Sequence, residues 1–323
     1  MRWAFVLPCR GQRAAEILVL EAPEMDRQLP TDEEIFLDHV GHFVRDPAAA
    51  AAALARAGFA PTPRSIQANP DGSLTGTGNI TVMLQRGYVE VLFKTADTSL
   101  GCELDAALAD YPGVHLAAFS VADAGAAHRR LTAGGFRTRP LAEMQRPVDT
   151  ETSSGIAAFT IARVEPGEMA EGRIQILTHR SEDTVWQQRW LTHPNGSGAL
   201  AALMIAVADV EEAAQRFARF TGRSAIASPL GRTVPLDRGR LELVPAQALT
   251  ALLPEIPIPR LPFMGAYGLL IRSLDDAAAV VRRGDLRTRA SGATLAVPFP
   301  EELGVGAWLF AENAADFPWQ ARG

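Results

Sequence analysis

This chain of 323 residues contains little cysteine. It has no surplus of basic residues and no long apolar run. Its two cysteines, Cys9 and Cys102, are far apart, which argues against a disulfide framework or a cysteine-based zinc site. Lysine and arginine number 31 against 37 aspartate and glutamate, for a formal net charge of −6. Because no basic stripe accompanies this balance, we expect no nucleic-acid partner.

No apolar run approaches the length that a membrane span needs, so we expect no membrane partner. Residues 3–8 are apolar, but Arg10 and Arg13 interrupt them too soon for a secretory signal core. Together with the scarce cysteines, this predicts a cytoplasmic protein. We expect residues 1–30 to form an N-terminal extension, and the sequence leaves open whether Met25 is the true start.

The most informative stretch spans residues 35–59 and predicts a strand, a helix and the start of a second strand. Asp46 can cap the helix because its carboxylate accepts the free backbone N–H groups of the first turn. Pro47 suits the first helical position, and the alanine run after it has the highest helix propensity. Gly58 can end the helix in the left-handed conformation.

This pattern recurs along the chain. A Val-x-Asp sequence ends a strand and caps a helix at Asp46, Asp123 and Asp209, and a weaker fourth copy has Asp275 as its expected cap. Short extended runs follow each helix, so each copy reads strand, helix, strand, strand, strand. Repetition at this scale indicates a duplicated unit, and one such unit alone buries too little surface to be stable.

For the first two copies, the sequence also predicts where the three later strands lie. A turn is expected at residues 76–79, where two glycines occur. The predicted strands are 60–67, 78–85 and 88–93 in the first copy, and 137–141, 157–164 and 173–178 in the second.

Length and repetition together predict two domains, each containing two units. A turn-rich passage with two tryptophans separates the second copy from the third and predicts a linker. The expected boundaries are an extension at 1–30, a first domain at 31–180 with units at about 33–95 and 113–180, a linker at 181–199, and a degenerate second domain at 200–323.

The order of these motifs resembles the vicinal oxygen chelate superfamily, which includes glyoxalase I, extradiol dioxygenases and bleomycin-resistance proteins, and in particular its glyoxalase-like domain proteins. The resemblance is carried by Leu37-Asp38-His39-Val40, by Val44-Arg45-Asp46 and by Tyr88-Val89-Glu90-Val91. It covers about residues 33–180 and is weak over 200–312. It implies an α+β fold in which repeated βαβββ modules pair into curved mixed sheets around a central cavity.

The resemblance also implies a divalent metal ion in the cavity, held by residues from the first and last strands of each module. His39 and Glu90 match the ligands of the first module, and Glu90 would also be the catalytic residue. Gln175 matches the last strand of the second module. The first-strand position of that module falls on Leu116, and the neighbouring His115 is a ligand only if a β-bulge turns it to the same face.

In the second pair of units, the matching first-strand positions are Ala202 and Gly268, whose side chains cannot bind a metal. Glu242 is the one carboxylate at a matching position, and a single carboxylate does not hold a divalent ion against water. We therefore expect this half to carry no metal and to have a structural role.

Two functions from different classes remain open. One is a metal-dependent lyase, isomerase or dioxygenase that holds two neighbouring oxygens of a small molecule on the metal, which acts as a Lewis acid. Zinc, nickel, manganese and ferrous iron all suit such ligands. The other is a metal-free protein of the same fold that binds or sequesters a small molecule, with His39 and Glu90 as a hydrogen-bonded pair. A homodimer is compatible with both.

Overall fold

The computed structural model describes residues 27–150 and 154–320, and most of the expected extension, Met25 included, lies outside them. One unit, a strand, a helix and three strands, occurs four times. The first copy comprises β1 (Ile35–Phe43), α1 (Pro47–Arg56), β2 (Ser65–Ala68), β3 (Leu74–Met83) and β4 (Tyr88–Lys94). After α2 (Ser99–Asp110), the second comprises β5 (Gly113–Val121), α3 (Ala124–Ala133), β6 (Ala142–Asp149), β7 (Ser154–Arg163) and β8 (Arg173–His179).

The other two copies follow the short helix α4 (Glu182–Val185). The third comprises β9 (Ser197–Val207), α5 (Val210–Thr221), β10 (Ile226–Ser228), β11 (Gly231–Pro235) and β12 (Arg240–Pro245). After α6 (Ala246–Leu252), the fourth comprises β13 (Phe263–Ile271), α7 (Leu274–Arg283), β14 (Arg289–Ser291), β15 (Thr294–Pro298) and β16 (Ala307–Ala311). Within the described residues, no helix is both long and apolar enough to cross a membrane.

The capping chemistry explains where the helices begin. The Asp46 carboxylate accepts the N–H groups of Ala48 and Ala49 at 2.8 and 3.0 Å. The expected cap of the fourth helix, Asp275, is wrong: the Ser273 side chain accepts the N–H of Asp276, so the cap lies two residues earlier and the helix begins at Leu274. Asp275 instead lies in the first turn, where its charge favours the helix dipole.

One strand prediction and one turn prediction in the first half are also wrong. The strand expected at 137–141 is instead β6, which begins at Ala142, and the passage before it contributes only one bridge, between Thr138 and Val164. The turn expected at 76–79 lies inside β3. Gly76 does have a positive φ of 83°, but the strand continues through it.

The first two units close into a ring of eight strands. Each unit pairs its first strand with its last in parallel, and the remaining pairs are antiparallel. β1 pairs antiparallel with β5 on one side, and Ala68 of β2 pairs with Gln145 of β6 on the other. The α+β fold with repeated βαβββ modules in curved sheets is therefore as predicted.

The second two units pair through β9 and β13 in the same way, but their sheet stays open, and among the described strands β10 and β14 do not pair with each other. Apolar side chains cover its concave face: Ala202 belongs to the same buried cluster as Phe317 and Trp319. A Cβ on Gly268 would lie 2.9 Å from the Phe317 ring. This half is filled by its own core.

The two halves share one continuous apolar cluster, which includes Leu37, Phe119, Phe217 and Trp308. Their sheets also meet where Val114 of β5 pairs with Met264 of β13. The domain boundaries expected from the sequence stay a prediction.

A buried hydrogen-bond chain joins the halves at His42. The Trp308 indole N–H donates to the Tyr267 hydroxyl at 2.6 Å. That hydroxyl then donates to His42 Nε2 at 3.0 Å, and His42 Nδ1–H donates to the Leu303 carbonyl at 3.0 Å. Burial lowers the pKa of His42 to about 4, against a smaller raising effect of the Leu303 carbonyl. A protonated imidazole would leave the Tyr267 O–H without this acceptor, so the network favours a neutral His42.

We expect this neutral histidine to make the fold sensitive to acid. In the unfolded chain His42 binds a proton below about pH 6.5. In the folded protein it binds that proton only near pH 4. The free energy of unfolding should therefore fall as the pH drops through this window, by up to about 3 kcal/mol. Urea unfolding of the wild type and His42→Gln at pH 7.5, 6, 5 and 4.5 measures it. Equal losses in both proteins would contradict this assignment.

Candidate functional site

A small cavity of about 40 Å³ lies inside the eight-stranded ring. It has room for a few water molecules. Three residues predicted from the sequence, His39, Glu90 and Gln175, line it together. They come from β1, β4 and β8, so the ring brings together positions that are far apart in the chain.

A β-bulge in β1 aims His39 into the cavity. In the pairing with β5, Leu37 lies opposite Phe119 and His39 opposite Ala118, so Asp38 is the extra residue. The bulge reverses the alternation of the strand. As a result, Leu37 packs in the core shared by the halves, whereas His39 faces the lumen.

Asp38 is a buried carboxylate that holds two histidines. Its Oδ1 lies 2.7 Å from His39 Nδ1, and its Oδ2 lies 2.9 Å from His179 Nε2. Burial alone would raise the pKa of Asp38, but the two histidines, His179 foremost, outweigh burial and hold that pKa well below its usual range. The Tyr88 ring stacks on His39 with centroids 4.3 Å apart. His39 is thereby fixed in one orientation.

Glu90 is oriented in the same manner. Its Oε1 accepts the Asn79 side-chain N–H at 2.7 Å and that of Gln67 at 3.4 Å. Its Oε2 lies 3.6 Å from His39 Nε2, an ion-pair distance that is too long for a hydrogen bond. His39 is therefore held through Nδ1 and Glu90 through Oε1, whereas His39 Nε2 and Glu90 Oε2 face each other.

Two arginines flank this pair. Arg163 Nε donates to Gln175 Oε1 at 3.0 Å, and Arg146 lines the cavity itself. Both guanidiniums interact electrostatically with Glu90, which opposes the lowering of their pKa values by burial. Two protein cations thus lie near Glu90, beyond ion-pair distance from it.

His115 does not join this group. A second irregularity in the β1–β5 pairing skips it, so the bulge that the sequence argument required is present. It nevertheless lies three residues before Ala118, the partner of His39, or ~10 Å along the strand. Its ring packs on Tyr111 and Phe43 and its Nε2 contacts the Tyr111 carbonyl at 2.7 Å.

A protein-family model described as "Glyoxalase-like domain" matches residues 37–221, more than half of the chain. The chain belongs to the glyoxalase-like domain family. The match begins in β1 and ends with α5, so it includes all of the eight-stranded ring except the first two residues of β1. Membership of the vicinal oxygen chelate superfamily, which the motif order implied, is thereby confirmed. Among curated proteins, no match was found.

Solved structures share the fold at low sequence identity. A hypothetical protein from Staphylococcus aureus is 9% identical over 85% of this chain and 98% of its own, with a TM-score of 0.58. A mutant 4-hydroxymandelate synthase from Streptomyces coelicolor is 12% identical over 86% and 92%, with a TM-score of 0.52. An Mn(II)-bound glyoxalase from Novosphingobium aromaticivorans is 12% identical over 87% and 83%, with a TM-score of 0.50. Identities this low establish the fold alone.

The donor set of this glyoxalase-like protein does not fit a resident divalent metal. Of the four matching positions, His39 offers an imidazole nitrogen and Glu90 a carboxylate, Leu116 is apolar, and the Gln175 oxygen already accepts from Arg163. Protein metal sites of this kind usually supply three or four ligands. Within residues 27–150 and 154–320, no three His, Cys, Asp or Glu side chains lie close enough to share an ion.

Three polar residues of this site were not identified from the sequence: Asp38, Asn79 and His179. Asp38 was quoted only as part of the family motif, and His179, which flanks the predicted linker, was expected to have a structural role. His179 lies 141 residues from Asp38, so no local pattern connects them. Asn79 was within the expected turn. The pairing of β3 with β4 could have identified it. Thr81 lies across from Glu90, and Asn79, two residues earlier on β3, shares its face of the strand.

Removing the charge of Asp38 should weaken the whole fold. Asp38→Asn leaves two histidines facing an amide, and we expect the free energy of unfolding at pH 7 to fall by about 3 kcal/mol, as for other broken buried pairs. The matched control is Asp46→Asn, which should lose less than about 0.5 kcal/mol because asparagine also caps helices well. Equal losses in urea unfolding would show that Asp38 is not a central contact.

Removing the charge of Glu242, the buried carboxylate of the second half, should stabilise the fold, in contrast to Asp38. Its Oε1 accepts from the Thr233 hydroxyl at 2.5 Å, and burial raises its pKa to about 7. Folding thus disfavours its charged form, and the penalty grows as the pH rises from 4.5 to about 7. Glu242→Gln should therefore gain up to about 3 kcal/mol of relative stability between pH 4.5 and pH 8. A gain independent of pH would contradict this assignment.

Proposed function

We propose that this glyoxalase-like protein binds a small oxygenated molecule at the ring without a resident metal ion. The observation that carries the proposal is the charge balance at Glu90, which faces His39 and is accompanied by Arg146 and Arg163. A divalent ion there would place further positive charge beside the two buried guanidiniums, Arg146 and Arg163. Under this proposal the binding partner of the protein is a small molecule.

Two larger cavities adjoin the ring and have the size of ligand pockets. One of about 330 Å³ is lined by Arg146, and one of about 510 Å³ is lined by Arg163. Cavities of ~300–1,000 Å³ typically hold small organic ligands. These volumes support a binding site that extends from the inner cavity outward. The cytoplasmic location and the homodimer remain predictions from the sequence.

A second candidate function, a metal-dependent lyase, isomerase or dioxygenase, is favoured by one contact. Asp38 holds His39 Nδ1, so Nε2 is directed at Glu90 Oε2, and a carboxylate behind a histidine is the usual support of a metal ligand. His39, Glu90 and Gln175 would then be the ligands and Glu90 the catalytic residue. The Mn(II)-bound glyoxalase of the same fold makes this candidate worth testing.

Metal content separates the two candidates. Protein purified without chelator should contain well under one equivalent of zinc, nickel, manganese or iron by elemental analysis, and His39→Ala should not change it. Glu242→Gln is the control in the second half and should also leave it unchanged. One equivalent in the wild type that His39→Ala removes, while Glu242→Gln keeps it, would favour the metal-dependent enzyme.

A further inference from the structure

Arg146 on β6 is a buried cation that makes no close polar contact among the described residues. It is 8% exposed, and within the described residues its guanidinium makes no hydrogen bond or ion pair. Burying a charge is costly unless another group pairs with it. A side chain kept in this position therefore calls for a partner that comes from outside the chain.

The neighbouring guanidiniums of the ring differ from Arg146 in this respect. Arg163 donates to Gln175, and Arg173 donates to Glu103 at 3.1 Å. Both are also deeply buried, so burial alone does not prevent pairing in this region. Glu90 acts on Arg146 electrostatically but remains beyond ion-pair distance.

The place of Arg146 indicates where the missing partner would lie. It lines both the inner cavity with His39 and Glu90 and the outer cavity of about 330 Å³. The described residues that line the outer cavity include three arginines, Arg64, Arg146 and Arg189, and one carboxylate, Asp149. The outer cavity is thus positively charged, with Arg146 at its inner end.

We propose that Arg146 anchors the anionic group, a carboxylate or a phosphate, of the small molecule that this site binds. A guanidinium presents paired N–H donors that match the two oxygens of either group. The anion would enter from the outer cavity, and the rest of the molecule would extend towards the His39–Glu90 pair. This inference rests on the proposed ligand-binding function but not on the absence of a metal.

The test is calorimetric titration with inorganic phosphate and, separately, with malonate, at constant ionic strength set with sodium chloride. The wild type should bind at least one of the two saturably, and Arg146→Met should weaken that binding at least tenfold. The matched control Arg64→Met, an exposed arginine of the same cavity, should change it less than threefold. Binding of phosphate alone or malonate alone identifies the anion.

Stability without the anion gives an independent readout. If Arg146 serves the ligand, Arg146→Met removes an unpaired buried charge, and its melting temperature should equal or exceed that of the wild type. A structural role predicts a lower melting temperature instead. Arg146→Lys keeps the charge but not the paired donors, and it should weaken anion binding at least fivefold even if Arg146→Met does not fold.

Two results would overturn the inference: no saturable binding of either anion to the wild type, or unchanged binding in the Arg146 variants. Metal content decides the proposed function separately. Stoichiometric metal together with anion binding that depends on Arg146 would refute the metal-free proposal and leave the role of Arg146 standing.

Discussion

The buried carboxylate of Asp38 is the constraint on which this structure depends. It is fully enclosed, and it persists as an anion because two histidines from different modules contact its two oxygens. The contact with His179 of β8 ties the second module to the first strand of the first one. The contact with His39 fixes the imidazole that faces Glu90. A single side chain thus links the closure of the ring to the geometry of its lumen.

The two halves show how one repeated unit can serve different purposes. In the first pair, polar residues project into the lumen, where Asn79 holds Glu90 and Arg163 holds Gln175, and a small polar cavity remains. In the second pair the equivalent first-strand positions are Ala202 and Gly268, and apolar rings from the C-terminal segment pack onto that face. The second half buries a core instead of a site. His42 and Tyr267 then join it to the strand that carries His39.

Local chemistry made much of the fold predictable. The caps at Asp46, Asp123 and Asp209 act within a few residues, so the sequence shows them directly. Gly87, directly before β4, is a local signal as well, because its positive φ of 75° is one that few other residues adopt. A Cβ on Gly87 would also lie 2.6 Å from the Asp38 carbonyl oxygen.

What could not be predicted depends on long-range geometry. The bulges at Asp38 and His115 arise from the pairing of β1 with β5, so sequence counting could not reveal that His115 lies farther along the ring than His39. β6 was misplaced because its sequence is polar and contains Pro147. It was therefore also impossible to foresee that Arg146, on that strand, would be buried beside the site.

The most direct test of the metal-free lumen is a crystal structure of protein grown with millimolar manganese, with anomalous diffraction data. The account predicts no anomalous peak between His39 Nε2 and Glu90 Oε2, and it predicts that Glu90 keeps its contacts with Asn79 and Gln67. A strong peak there, with both side chains within ~2.4 Å of the ion, would contradict it and establish a metal centre.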